Sequence, residues 1–199
     1  VKTVYVCQNC GAESAKWIGK CYSCGEWNSY VEQKIAKDNS NPTGFADFEK
    51  LQPLKISEIT SKNEGRILTH INELDRILGG GLVPGSVILI GGEPGIGKST
   101  LALQVALKLN HLKTLYVSGE ESPQQIKMRA ERIKIKNENC YILGETLLEN
   151  ILIQAQNIQP DILIIDSIQT LYSDKLESSA GTVSQIRETA TTLLKFAKT

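Results

Sequence analysis

From about residue 66 onward, short unbroken apolar runs alternate with stretches whose apolar residues recur at helical spacing. That alternation predicts an α/β unit built on a parallel sheet. Four runs read as buried strands: SVILIGG (86–92), KTLYVSG (113–119), NCYILG (139–144) and DILIIDSI (161–168). Helices are predicted between them. INELDRILGG (71–80) is closed by the glycine run Gly79, Gly80 and Gly81, and KSTLALQVALKL covers 98–109. SPQQIKMRAERI (122–133) has Ser122 as N-cap and Pro123 at its first position, and TLLENILIQAQNI (146–158) is opened by Thr146. A last amphipathic helix runs from about Thr182 to the end.

Upstream the pattern changes. Residues 33–65 are polar with scattered prolines and read as a linker, and residues 1–32 hold four of the five cysteines and both tryptophans. The three zones are therefore a four-cysteine module (1–32), a linker (33–65) and an α/β domain (66–199). The first residue is Val1 rather than Met, and no Gly, Asn or Pro follows the last helix, so a fragment of a longer protein is expected. Lys plus Arg and Asp plus Glu number 22 each, so any polyanion binding must come from local patches. No apolar run approaches the roughly 20 residues of a membrane span, and no signal peptide is visible, which points to the cytoplasm.

The segment GGEPGIGKST carries the strongest chemical signal. It matches GxxxxGK[ST] between a strand and a helix, the setting in which backbone N–H groups cradle phosphates. The candidate nucleotide-binding residues are Gly92, Glu93, Pro94, Gly95, Ile96, Gly97, Lys98, Ser99 and Thr100. Lys98 is expected to reach the β- and γ-phosphates of ATP, and the Ser99 hydroxyl to help hold Mg²⁺. Asp166 ends the apolar run ILIID about 70 residues later, where a carboxylate can reach that ion. Hydrolysis also needs a group to orient water. Glu120 and Glu121 stand at the end of the second strand, where open parallel sheets place their ligands. Glu120, the first residue past the Ser118–Gly119 turn, is preferred over Glu121.

Cys7, Cys10, Cys21 and Cys24 form two CxxC pairs separated by ten residues. Two such turns complete a tetrahedral Zn²⁺ site, and the grouping favours structural zinc over a redox dithiol, which needs only one pair. Trp17 and Trp27 are expected to pack over this clip. Cys140 reads as a buried small hydrophobe, and His70 and His111 lack partners at ligand spacing. Lys127, Arg129, Arg132, Lys134 and Lys136 form a basic run, read as a solvated helix face unless Arg129 lies against a nucleotide base. The polar segment YSDKLESSAGTVSQIR reads as a mobile connector or a contact loop.

Together, VCQNCGAESAKWIGKCYSCGEWNS, ELDRILGGGLVPGSVILIGGEPGIGKSTL, YVSGEES and IIDSIQT resemble the RadA (Sms) family of bacterial DNA-repair ATPases. The similarity covers almost everything but the linker. It implies a RecA-like P-loop NTPase core, preceded by a zinc-ribbon-like module, that drives branch migration of recombination intermediates on DNA. It also implies contacts of the zinc module with RecA and DNA, and a homo-oligomer, a hexameric ring. The matching motifs give Lys98 and Ser99 the P-loop roles, Asp166 the metal role and Glu120 the catalytic carboxylate role. The loop from about Ser173 to Thr182 takes the place of a DNA-binding loop. The rest of the RecA-like sheet, the KNRFG motif and the Lon-protease-like domain of that family are not in this sequence. The rival readings are another RecA-like ATPase, a replicative helicase or a clock-type autokinase, and an ATP-switched docking protein. The zinc clip argues against the first of these.

Overall fold

The computed structural model describes residues 2–35, 55 and 65–198. Most of the expected linker lies outside the described residues. At the N-terminus, β1 (Lys2–Cys7) pairs antiparallel with β2 (Glu13–Ser14) on one side and β3 (Tyr30–Ile35) on the other. The β1–β3 register sets Cys7 opposite Tyr30. This small sheet frames the cysteine turns.

The α/β part contains α1 (Asn72–Ile77), α2 (Lys98–Lys108), β4 (Thr114–Ser118), α3 (Pro123–Ile133), β5 (Cys140–Gly144), α4 (Leu148–Ile158), β6 (Ile162–Asp166) and α5 (Val183–Phe196). A short 3₁₀ turn, Ile168–Thr170, follows β6. The strands form a parallel sheet in the order β5–β4–β6. In register, Ser118 at the end of β4 stands abreast of Gly144 and Asp166. The C-terminal ends of three strands therefore share one edge.

The central strand is buried throughout and feeds both faces. Leu115 and Val117 pack with Leu148, Ile151, Ala155 and Leu171 on one side, and Tyr116 packs with Leu103, Ala106, Leu107 and Ile126 on the other. Alternation along a strand places successive side chains on opposite faces, so one short segment nucleates two apolar layers. The continuous run TLYVS reflects that two-sided burial.

Two expectations need correction. The predicted strand at 86–92 joins no sheet among the described residues, and its apolar side chains face out, with Leu89 83% exposed. Periodicity marks a run as able to pair but does not supply a neighbour, and β4 already has one on each side. The helix expected at 146–158 is not opened by Thr146: it begins at Leu148 with Leu147 as N-cap, and Glu145 braces the turn before it. Its carboxylate accepts from the N–H groups of Thr146 (2.7 Å) and Leu147 (3.0 Å) and from Asn150 Nδ2 (2.9 Å). The carboxylate thus satisfies N–H groups of the turn that leads into the helix, while Leu148 N–H donates to the Tyr172 carbonyl. The Leu147 N–H, then Asn150 and Thr146, hold Glu145 below the usual carboxylate range.

Candidate nucleotide and metal sites

Each CxxC segment folds into the same knuckle. Gly11 N–H donates to the Cys7 carbonyl (2.8 Å) and Gly25 N–H to the Cys21 carbonyl (2.9 Å). Both glycines adopt positive φ, 74° and 76°, a region where a Cβ is strained. The turns point Cys7, Cys10, Cys21 and Cys24 at one another, with all four sulfurs within 4.8 Å. Cys7 Sγ lies 3.7 Å from Cys24 Sγ, and Cys10 Sγ lies 3.6 Å from Cys21 Sγ. Tetrahedral Zn–S bonds of about 2.3 Å separate their sulfurs by about 3.8 Å, so the donor set fits zinc.

Burial opposes ionisation of Cys21. The Cys24 N–H, the Tyr30 hydroxyl and the Ser23 N–H outweigh it and bring the thiol down to about 6. The Ala12 N–H favours the Cys10 thiolate, but desolvation and the three neighbouring sulfurs push it up to about 11. Four crowded sulfurs cannot all ionise cheaply without a cation between them.

The tryptophans do not pack over the clip. Trp17 and Trp27 are 54% and 65% exposed, with Gly19 between them and Lys20 Nζ 5.5 Å from the Trp27 ring centroid. The buried centre consists instead of Cys7, Cys21 and Tyr30, with Tyr5, Cys10, Ala12 and Ile18 packed against it. The Gly11 knuckle lies against the first turn of α5, where a Cβ on Gly11 would stand 3.0 Å from Val183 Cγ1.

At the other site, the segment from Gly92 to Gly97, which includes Glu93, Pro94, Gly95 and Ile96, leads into α2, whose first residues are Lys98, Ser99 and Thr100. Lys98 Nζ donates to the carbonyls of Gly92 and Glu93, each at 2.8 Å. Its ammonium is thereby held at the loop. Ser99 Oγ donates to Asp166 Oδ1 at 3.1 Å, joining residues 67 apart in sequence. The other oxygen, Asp166 Oδ2, accepts from the Tyr116 hydroxyl at 2.6 Å. Burial, then the Asp166 carboxylate, hold Tyr116 well above the ordinary phenol range, so it stays a donor. Sequence reasoning missed this tyrosine because it sits inside an apolar strand. The Asp166–Ser167 peptide is cis.

The two candidate glutamates separate clearly. Glu120 Oε1 accepts from Ser167 Oγ at 3.1 Å, one residue beyond Asp166. Glu121 is bound instead to Arg129 Nη2. Their N–H groups both approach Ser118 Oγ, at 3.4 and 3.1 Å, which shapes the turn. Gly119 is packed so closely that a Cβ would meet the Thr170 side chain and stand 2.8 Å from Thr146 Cγ2. The backbone passes there because the residue has no side chain.

A cleft of about 600 Å³ beside α2 and α3 is lined by Thr100, Gln104, Lys108, Arg129 and Arg132 among others. The basic run is thus divided. Arg129 and Arg132 face this cleft, while Lys127 pairs with Glu131 at the surface. A second cleft, about 310 Å³, lies at the ends of β4 and β5 and includes Glu120, Glu121 and Glu145. Cys140 is half-buried, and burial pushes its thiol up to about 11. His70 and His111 stack edge to face, 6.5 Å apart.

The loop after the 3₁₀ turn is not slack. The buried Gln185 amide donates to the carbonyls of Ser173 (3.2 Å), Leu176 (3.1 Å) and Ser178 (2.8 Å), and its Oε1 accepts from Ser173 N–H (2.9 Å). One side chain therefore organises the segment from Ser173 to Ser178. No helix among the described residues is long and apolar enough to cross a membrane.

Two family models and several curated relatives resemble this chain. A family model for ATPases described as KaiC matches residues 67–141, and one described as a rubredoxin metal binding domain matches residues 5–32. The DNA repair protein RadA of Listeria monocytogenes is 49% identical over 202 residues, covering 98% of this chain and 43% of the relative. Those of Aquifex aeolicus and Bacillus subtilis are 49% and 45% identical, covering 99% and 100% of this chain and 44% of each relative. The chain spans less than half the length of these curated relatives. The fold is a RecA-like parallel core preceded by a zinc-ribbon module.

Proposed function

Over the stretch it shares with them, the chain belongs to the RadA family of DNA repair proteins, and from that premise we propose a DNA-dependent ATPase of recombinational repair. The observation that carries this reading is convergence at one sheet edge. Ser99 from the P-loop helix, Asp166 from β6 and Glu120 from the β4 turn meet where the strands end. Each residue takes a role suited to its position. The loop from Gly92 to Thr100 cradles the phosphates of ATP, and Lys98 exchanges its carbonyl partners for β- and γ-phosphate oxygens. The Ser99 and Asp166 oxygens suit a hard divalent cation. Mg²⁺, when bound, supplies neutralisation of the phosphate charge. Glu120 orients and polarises the attacking water, since among the described residues its carboxylate carries only the Ser167 hydroxyl and can be re-aimed. Glu121, held by Arg129, keeps the turn in place instead.

In the complete protein, the exposed run 86–91 pairs with a further strand to extend the sheet. The three zones act as a zinc module (1–32), a linker (33–65) and an ATPase domain (66–199). The zinc module serves as a docking piece for DNA or for a RecA recombinase, and the loop from about Ser173 to Thr182 contacts DNA. The subunits form a ring, a hexamer, that uses hydrolysis to promote branch migration in the cytoplasm. ATP turnover by the full-length protein, with and without single-stranded DNA, tests the reading. DNA is expected to raise the rate several-fold, and Lys98→Ala to abolish it. A rate indifferent to DNA, with repair retained by Lys98→Ala, would instead mark an ATP-switched docking protein.

A further inference from the structure

Tyr116 is the central residue of β4 and is fully buried, between α2 on one side and the end of β6 on the other. Its ring fills the apolar layer with Leu103, Ala106 and Ile126, a task phenylalanine performs equally well. The hydroxyl is therefore the unexplained part. It donates to Asp166 Oδ2 at 2.6 Å and lies 3.5 Å from the Ser99 carbonyl oxygen at the start of α2. Asp166 has only two carboxylate oxygens, and Oδ1 is the one that accepts from Ser99 Oγ. When the Ser99 hydroxyl turns to a divalent cation, Oδ1 loses that donor. Among the described residues, the remaining hydrogen bond to the Asp166 carboxylate is the one from Tyr116. A carboxylate held by one oxygen presents the other in a fixed direction, whereas a free one rotates about χ2.

We infer that Tyr116 is a positioning residue for the divalent cation of the nucleotide site, locking Asp166 through Oδ2 so that Oδ1 faces the metal. The inference rests on the proposed P-loop function. It adds a group that touches neither nucleotide nor metal. The site gains a buried, uncharged support that does not compete for the cation.

The test is binding of a fluorescent ADP analogue to the full-length protein, titrated with Mg²⁺ and repeated in EDTA. Hydrogen bonds to charged groups are strong enough that Tyr116→Phe should raise the half-saturating Mg²⁺ concentration roughly tenfold. Affinity in EDTA should stay at the wild-type value, a split that a merely structural defect does not produce. In an Asp166→Asn background, Tyr116→Phe should add no further change. An unchanged Mg²⁺ requirement in the folded Tyr116→Phe protein overturns the inference and leaves the function standing. Wild-type binding that ignores Mg²⁺ overturns both. Loss of secondary structure in Tyr116→Phe by far-UV circular dichroism would place the hydroxyl in folding rather than in positioning, and would also overturn the inference.

Discussion

Among the described residues of the N-terminal module the buried hydrophobic ones are Val4, Val6, Cys7, Cys21 and Tyr30, whereas the sheet under the candidate nucleotide site is covered by apolar clusters on both faces. In the first region two candidate metal ligands are themselves part of the core. In the second, apolar packing aims the polar groups, and Asp166 already holds bonds from Ser99 and Tyr116. The contrast separates two ways of building a site. A small module relies on its ligand for cohesion, while a packed sheet can present chemistry at an edge it does not need for stability.

The largest expected effect comes from removing the metal. Structural zinc contributes on the order of 10 kcal/mol to such modules, so Cys21→Ser or a strong chelator should unfold the N-terminal sheet. Hydrogen exchange should show amides in β1 and β3 losing protection while those in β4 and β6 keep theirs. Loss of protection in both regions would mean the two are one cooperative unit. The converse change strikes the sheet edge. Gly119→Ala forces a Cβ against Thr170 and Thr146, and overpacking of this kind costs about 1–3 kcal/mol. Urea unfolding should show that loss while zinc content per chain stays at the wild-type value. A Gly119→Ala protein as stable as wild type would show that the turn can shift freely.

What the sequence made legible follows from the same contrast. The cysteine turns and the P-loop are local, so residue type and spacing alone mark them. Asp166 and Glu120 were reachable because strand ends in a parallel sheet gather on one edge, which needs only the element order. Tyr116 was not legible, since its value depends on the register that sets β4 beside β6. Gln185 likewise looks like a polar position on an amphipathic helix, yet it is buried and holds the preceding loop. The run 86–91 misled for the opposite reason: its apolar pattern states a capacity to pair, and pairing needs a partner strand. Trp17 and Trp27, expected over the metal clip, stand largely exposed, and the buried cluster beside the clip is Cys7, Cys21 and Tyr30.

The central claim is that water is activated at the end of β4 by Glu120, with Glu121 committed to Arg129. Its most direct test is a comparison of Glu120→Gln and Glu121→Gln in the full-length protein, measuring nucleotide affinity and the ATP hydrolysis rate. The account predicts that Glu120→Gln binds ATP as tightly as wild type and hydrolyses it about a hundredfold more slowly, within the usual range for losing such a group. Glu121→Gln should keep most of the turnover. Wild-type hydrolysis by Glu120→Gln, or a far larger loss in Glu121→Gln, would contradict it.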